Sequence, residues 1–317
     1  MDFWREETFA HRFSTADFLA ACHQAFERYG AGVIDNPPRT ESIQKRGSLD
    51  YFRLDMPAEW PGKFRARKII EEFSDVASGR LAKREAYIAF EDLQQGRTWR
   101  LEAGHITDRR TGAAGALGLQ YLAGAAIERV AILGTGRIAR SLALSCDALF
   151  DLAEIACTSR RAENRAAFAK AVEPDLRARL RVATSLETCI AGADAVLTAV
   201  PTPQPILTSA ALTEIPYLAV IAGDSRTRQL EPEVLYERTV VVDVLAQAQK
   251  SGEFRFAAEQ GQAEQIALAR NAEGTVLDIG DAACGRLGTI APSAVYLTGM
   301  GAQDLCAAAM VYRRLLT

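Results

Sequence analysis

From Glu128 onward the chain repeats one pattern: a short apolar run, a turn, then an alanine-rich helical stretch. The runs are RVAILG (129–134), EIACTS (154–159), RVATS (181–185), DAVLTAV (194–200), YLAVIAG (217–223) and TVVVDV (239–244). They are rich in Val, Ile, Leu and Ala and lack polar alternation, the pattern of strands covered on both faces, so they predict a parallel sheet with crossover helices. The first third reads differently. It predicts a helix over residues 15–29 and short β-like runs at 51–54 and 86–90, an α+β mixture. With 317 residues, about twice the usual ~150 of a domain, the chain is expected to hold two domains. Residues 110–127, rich in Ala and Gly, read as a closely packed helix leading from one region to the other. The run GAQDLCAAAMVYRRLL near the end reads as an amphipathic helix.

Charge and composition narrow the partners. There are 37 Lys plus Arg against 40 Asp plus Glu, and residues 1–112 carry 18 of each sign, so no polybasic arm marks a nucleic-acid footprint. The longest uncharged stretch, residues 195–213, contains Pro201, Pro203 and Pro205, which argues against a membrane span. The start, MDFWREETFAHRF, is charged from its second residue and does not read as a secretory signal. The six cysteines include no C-x-x-C pair, a usage that fits reduced thiols in a cytoplasm. The three histidines are scattered, and no metal site is expected. A small molecule is the expected partner.

The apolar run at Val130–Leu133 passes at once into Gly134-Thr135-Gly136-Arg137-Ile138-Ala139 and then a helical segment. This is the dinucleotide fingerprint with Ala in its third small position. Gly134 permits the tight turn, Gly136 lets backbone approach a pyrophosphate, and Ala139 lets helix and strand pack closely. The helix N-terminus then offers free N–H groups and partial positive charge. After the second run, where an NAD site places an acid for the ribose, stand Ser159, Arg160 and Arg161. Guanidiniums and a hydroxyl suit a 2′-phosphate, so NADP is favoured, with NAD possible. The bland alternative is a solvated arginine pair opening the next helix.

Four separated stretches, ITDRRTGAAGALGLQYLAG, AGDSRTRQLEPEVL, VVVDVLAQAQKSGEF and YLTGMGAQDLCAAAMVY, resemble the ornithine cyclodeaminase/mu-crystallin family, with similarity from about Pro37 onward. The resemblance implies an α/β fold: a Rossmann doubly wound parallel sheet at 128–278, nested in a discontinuous α+β substrate-binding and dimerisation domain built from 1–127 and 279–317. It also implies a homodimer, a nicotinamide cofactor, and chemistry at the carbon–nitrogen bond of an amino or imino acid. Carried over by motif, Arg39, Lys68 and Arg110 hold the substrate carboxylate. Lys68 or Asp224 handles the proton. Thr111 sits near the cofactor phosphates, and Val200, Pro201, Thr202 and Met300, with Asp304 nearby, line the nicotinamide.

Two departures bear on the reaction. In ornithine cyclodeaminases a glutamate two positions before a Met-Pro pair engages the substrate; before Met56-Pro57 that place holds Leu54, with Asp55 adjacent. The loop after Asp224 reads Ser-Arg-Thr-Arg-Gln-Leu where relatives carry a Pro-Gly turn and a Glu. The leading expectation is therefore an NADPH-linked imine or ketimine reductase, or an amino-acid dehydrogenase. A cyclodeaminase that releases ammonia and forms a cyclic imino acid is the alternative, and a non-catalytic, crystallin-like NADP-binding protein is a third.

Overall fold

A computed structural model of the chain describes residues 2–78, 80–123, 127–222 and 227–316. In chain order the elements are β1 (Asp2–Trp4), α1 (Glu6–Phe9), α2 (Thr15–Gly30), β2 (Thr40–Arg46), β3 (Leu49–Trp60), β4 (Phe64–Asp75), β5 (Leu81–Asp92), β6 (Arg97–Glu102) and α3 (Gly104–Ala123). Then come β7 (Arg129–Leu133), α4 (Arg137–Leu149), β8 (Glu154–Thr158), α5 (Ala162–Val172), β9 (Arg179–Val182), α6 (Leu186–Ile190), β10 (Ala195–Thr198) and β11 (Tyr217–Ile221). The chain ends with α7 (Glu233–Tyr236), β12 (Thr239–Val242), α8 (Leu245–Ala248), α9 (Gly252–Glu259), α10 (Ile279–Ala283), β13 (Ser293–Leu297) and α11 (Gly301–Leu316). It forms two compact units, one of residues 1–110 with 300–317 and one of 111–299.

The first unit is built on a sheet ordered β1-β6-β5-β4-β3-β2 among the described residues, antiparallel except for the β1–β6 pair. One face of it is apolar and carries α11, which packs on β3, β4 and β5 and against α2. Helix α2 starts where Ser14 and Asp17 form a reciprocal capping box, and it buries Phe18, Leu19, Cys22, Ala25 and Phe26 at helical spacing. On the covered sheet face, Phe64, Phe90 and Trp99 gather round Tyr312 of α11 with ring centroids 4.5–6.1 Å away, an aromatic cluster that anchors the helix. Strands β3 and β5 run well beyond the short β-like stretches at 51–54 and 86–90. Their opposite face holds charge pairs such as Arg67–Asp55 and Arg53–Glu71, which carry little β propensity in sequence but bridge neighbouring strands.

The second unit holds an all-parallel sheet ordered β12-β13-β11-β10-β7-β8-β9 among the described residues. It is the doubly wound fold that the unalternating apolar runs predict. Chain direction across the sheet reverses between β7 and β10, the switch point where such folds bind ligands beyond the strands' carboxyl ends. The third strand is Arg179–Val182, beginning two residues before the RVATS run. Helix α3 lies close to α4: a Cβ on Gly112 would sit 2.4 Å from the carbonyl carbon and oxygen of Ser141.

The sequence reading placed the domain boundaries at residues 127/128 and 278/279, whereas the compact units divide after Arg110 and Gly299. The difference lies in two pieces that join the nucleotide fold through packing: the glycine-rich part of α3 and β13, which inserts between β11 and β12.

Candidate functional site

In the first unit the strand period decides what Lys68 meets. On β4, Phe64, Ala66, Lys68 and Ile70 alternate onto the covered face, and Lys68 lies directly between Met56 of β3 and Ile88 of β5. A lysine there is 1% exposed among apolar neighbours. Its charge is met from above by Asp304, on the first turns of α11: Lys68 Nζ is 2.8 Å from Asp304 Oδ2, at ion-pair distance without hydrogen-bond alignment. The other oxygen, Oδ1, is 3.2 Å from Arg110 Nε, and Arg110 Nη1 donates to Gln303 Oε1 at 3.0 Å. Gln303 is held in turn, accepting from the Met300 amide at 3.0 Å and reaching Cys22 Sγ with Nε2 at 3.5 Å. Burial, then the neighbouring Arg110 charge, pushes Lys68 down to about 7, against the opposing pull of Asp304. Burial likewise holds the Cys22 thiol up at about 12, so it stays neutral.

Arg39 completes the group of basic residues. It stands just before β2, paired with Glu41 at 2.9 Å, and its charge is felt at Lys68. The departure at Leu54 is resolved by register. Leu54 shares the face of Met56 and Lys68, while Asp55 points to the opposite face and is bound by Arg67 at 2.7 and 2.9 Å. Asp55 therefore does not replace the glutamate of the cyclodeaminases. Directly across from Leu54 on β2 stands Glu41, so a carboxylate occupies that face from the neighbouring strand.

In the second unit, the turn after β7 has the shape a pyrophosphate needs. Gly134 has φ +111°, and a Cβ there would come within 3.1 Å of the Ala199 carbonyl, which brings the turns after β7 and β10 together. Gly136 is the N-cap of α4, makes no side-chain cap bond, and a Cβ on it would meet nothing within 4 Å. Open space thus lies beside the N-terminus of α4, whose first turn holds no acid. Ala139 is buried against the sheet. Thr135 Oγ1 donates to Ser159 Oγ at 2.9 Å, tying the turn to the end of β8. Arg160 and Arg161 are exposed beside it. These features fit a dinucleotide whose pyrophosphate caps α4. Thr111 is buried next to Gly112.

Buried polar groups fix the remaining rim. Gln229 Oε1 accepts from Thr198 Oγ1 and the Val200 amide at 2.7 and 2.8 Å, and its Nε2 donates to the Ile221 carbonyl at 2.8 Å. It thereby spans the ends of β10 and β11 and sets the backbone leading into Pro201 and Thr202. Asp243, at the end of β12, accepts from the amides of Thr298 and Gly299 at 2.7 and 2.6 Å and fixes the segment after β13. Met300 itself is fully buried in the first unit. Asp224 lies outside the described residues. Among those described, no cluster of His, Cys, Asp and Glu is gathered as a metal site, and no helix is long and apolar enough to cross a membrane.

The sequence profile of the ornithine cyclodeaminase/mu-crystallin family matches residues 4–317. The chain belongs to that family. This family member is 26% identical over 219 residues to a Rhizobium meliloti (strain 1021) protein named as a dehydrogenase. The match is 68% of this chain and 64% of the relative, so the chain spans under two thirds of that relative's length. Among solved structures, an archaeal alanine dehydrogenase dimer with bound NAD superposes with TM-score 0.81 at 22% identity, covering 100% of this chain and 96% of that one. The Thermococcus litoralis Δ(1)-pyrroline-2-carboxylate reductase in complex with NADH and L-proline gives TM-score 0.85 at 18% identity, covering 100% and 98%. Both share the fold of this ornithine cyclodeaminase/mu-crystallin family member.

Motifs in the sequence singled out Lys68, Arg110 and Arg39, and the structure gathers them in one unit. Asp304 was read only as a wall residue near the nicotinamide, yet it contacts two of the three. Gln303, Gln229 and Asp243 were missed; Asp243 alone carried a signal, as a polar residue inside the apolar run 239–244, whereas Gln229 lies in a polar loop and Gln303 stands next to Asp304.

Proposed function

We propose that the chain is a nicotinamide-dependent oxidoreductase that moves a hydride between NADPH and the α-carbon of a small imino or amino acid. The buried Lys68–Asp304–Arg110 cluster supports this reading most directly. Two cations against one anion leave a single positive charge, the complement of one carboxylate, and arginine offers it paired donors. Arg39 adds a third donor group beside them. When bound, the nicotinamide supplies the hydride to the α-carbon. The imine nitrogen must gain a proton in the same reduction, and an ammonium poised at about 7 can release one at neutral pH. Lys68 is assigned that role, with Asp224 as the other candidate. Thr111, the turn 134–139 and the rim at Val200, Pro201, Thr202 and Met300 are assigned to the cofactor. Ser159, Arg160 and Arg161 are assigned to a 2′-phosphate, which makes NADP the preferred form. We expect a cytoplasmic homodimer, checked by its mass in solution.

One observation favours a second reading. Glu41 sets a carboxylate across from Leu54, where a second substrate amine could be held, as a cyclodeaminase acting on a diamino acid requires. The deciding experiment incubates the purified protein with pyrroline-2-carboxylate, or pyruvate plus an amine, and NADPH, and separately with ornithine and catalytic cofactor. Loss of NADPH absorbance with the imine substrates is expected. Ammonia release from ornithine without net NADPH loss would replace the reductase with a cyclodeaminase, and silence in every mixture would leave a binding protein. Comparing Lys68→Met with Asp224→Asn assigns the proton.

A further inference from the structure

We infer that Asp304 is the positioning residue of this site: its two carboxylate oxygens hold Lys68 protonated and fix the Lys68 ammonium and the Arg110 guanidinium relative to each other, so that carboxylate binding and proton delivery are set by one buried anion. The inference rests on the proposed role of Lys68 as proton donor.

The geometry carries it. Asp304 is 0% exposed, and Lys68 and Arg110 are 1% and 5% exposed, so these charges are shielded from water and their mutual arrangement sets their energies. One oxygen serves each cation, at 2.8 and 3.2 Å. Asp304 sits on the rigid first turns of α11, whose start is pinned by two side chains: Gln303 Oε1 accepts the Met300 amide at 3.0 Å and Asn36 Oδ1 accepts the Ala302 amide at 2.8 Å. The carboxylate is thus placed by a helix end with little freedom to follow its partners.

The surroundings leave Asp304 as the group that favours the charged lysine. Beside Lys68, β3 and β5 present Met56 and Ile88, which carry no charge. From α3 comes Arg110 and from the segment before β2 comes Arg39, both of which disfavour the ammonium, and Glu41 of β2, across from Leu54, is paired with Arg39 at 2.9 Å. From α2 comes Cys22, neutral at ordinary pH. The remaining charges on α11, Arg313 and Arg314, lie in its last turn. Removing the carboxylate therefore removes the attraction and keeps both repulsions.

The test is the pH dependence of kcat/KM for imine reduction in the full-length protein, with circular dichroism and NADPH affinity as checks of folding. Wild type is expected to lose activity as Lys68 deprotonates on the alkaline side. In Asp304→Asn that alkaline limb should move down by ~1–3 pH units, the usual effect of losing an opposite charge at this distance. Asp304→Glu keeps the charge and displaces it by one methylene. Its limb should return to the wild-type position while kcat stays depressed about 10- to 100-fold, the usual loss for a misplacement near 1 Å. An unmoved limb in Asp304→Asn, together with loss of the limb in Lys68→Met, overturns the inference while keeping Lys68 as donor. A limb that survives in Lys68→Met removes Lys68 as donor and the inference with it. If Asp304→Asn does not fold, wild-type kcat in Asp304→Glu overturns the positioning role.

Discussion

At the scale of single residues, a lysine sealed between Met56 and Ile88 imposes a stability cost that depends on pH. Its folded value of about 7 lies below the ordinary 10.5, so between those limits the unfolded chain binds more protons and folding gains stability as pH rises. Replacing Lys68 by Met removes this dependence. The melting temperature of wild type relative to Lys68→Met should therefore climb from pH 7 to pH 10, by the equivalent of a few kcal/mol as an order of magnitude; a difference that stays flat across that range refutes the buried, depressed amine. The exposed pair at the end of β8 makes the opposite kind of prediction. Arg160→Asp with Arg161→Ala should leave stability within about 0.5 kcal/mol, as for other surface changes, and weaken NADPH far more than NADH in titrations. Equal losses for both cofactors would refute the 2′-phosphate assignment. Lys68 and Arg110 were legible because each stands in a recognisable run of neighbours. Asp304 was less so, since an acid early in a helix reads first as a partner for the helix dipole, and the cations it meets are more than 190 positions away.

At the scale of elements, periodicity revealed six of the seven parallel strands described, because burial on both faces leaves an apolar run that few other structures share, while β13 (Ser293–Leu297) was not read as a strand. The antiparallel strands were cut short by the same logic, since 4 of the 12 residues of β3 and 5 of the 12 of β5 are charged. Glycines separate packing from binding. Gly112→Ala would force a Cβ to 2.4 Å from Ser141 backbone, and overpacking of this kind should cost about 1–3 kcal/mol, read as a lower melting temperature. Gly136→Ala meets nothing within 4 Å, so its stability should hold while dinucleotide affinity falls. The reverse outcome would mean that the turn is structural and α3 loosely packed.

At the scale of the whole molecule, length indicated two domains and the family resemblance indicated nesting, but the joints lie where tertiary packing put them. No local signal in Ser293–Leu297 says that this strand will insert between β11 and β12, since partner choice in a parallel sheet is a property of the finished layer. Helix α11 returns to the first unit and fills its core with Leu305, Ala308, Val311 and Tyr312. A chain ending at Met300 should lose the cooperative unfolding of residues 2–110 in calorimetry and expose them to protease, while the parallel-sheet unit keeps its own transition.

The placement of β13 and α11 also governs when the molecule can exist. A ribosome delivers the chain from its amino end at about 5–20 residues per second. Strand β12, once synthesised, pairs with no named strand but β13 among the described residues and must wait for it, while the antiparallel sheet waits for α11 to cover its apolar face. Both waits end within residues 293–316. A nascent chain short of that stretch holds two unfinished layers with apolar surface showing, so the two layers are completed together, only once residues 293–316 have been made.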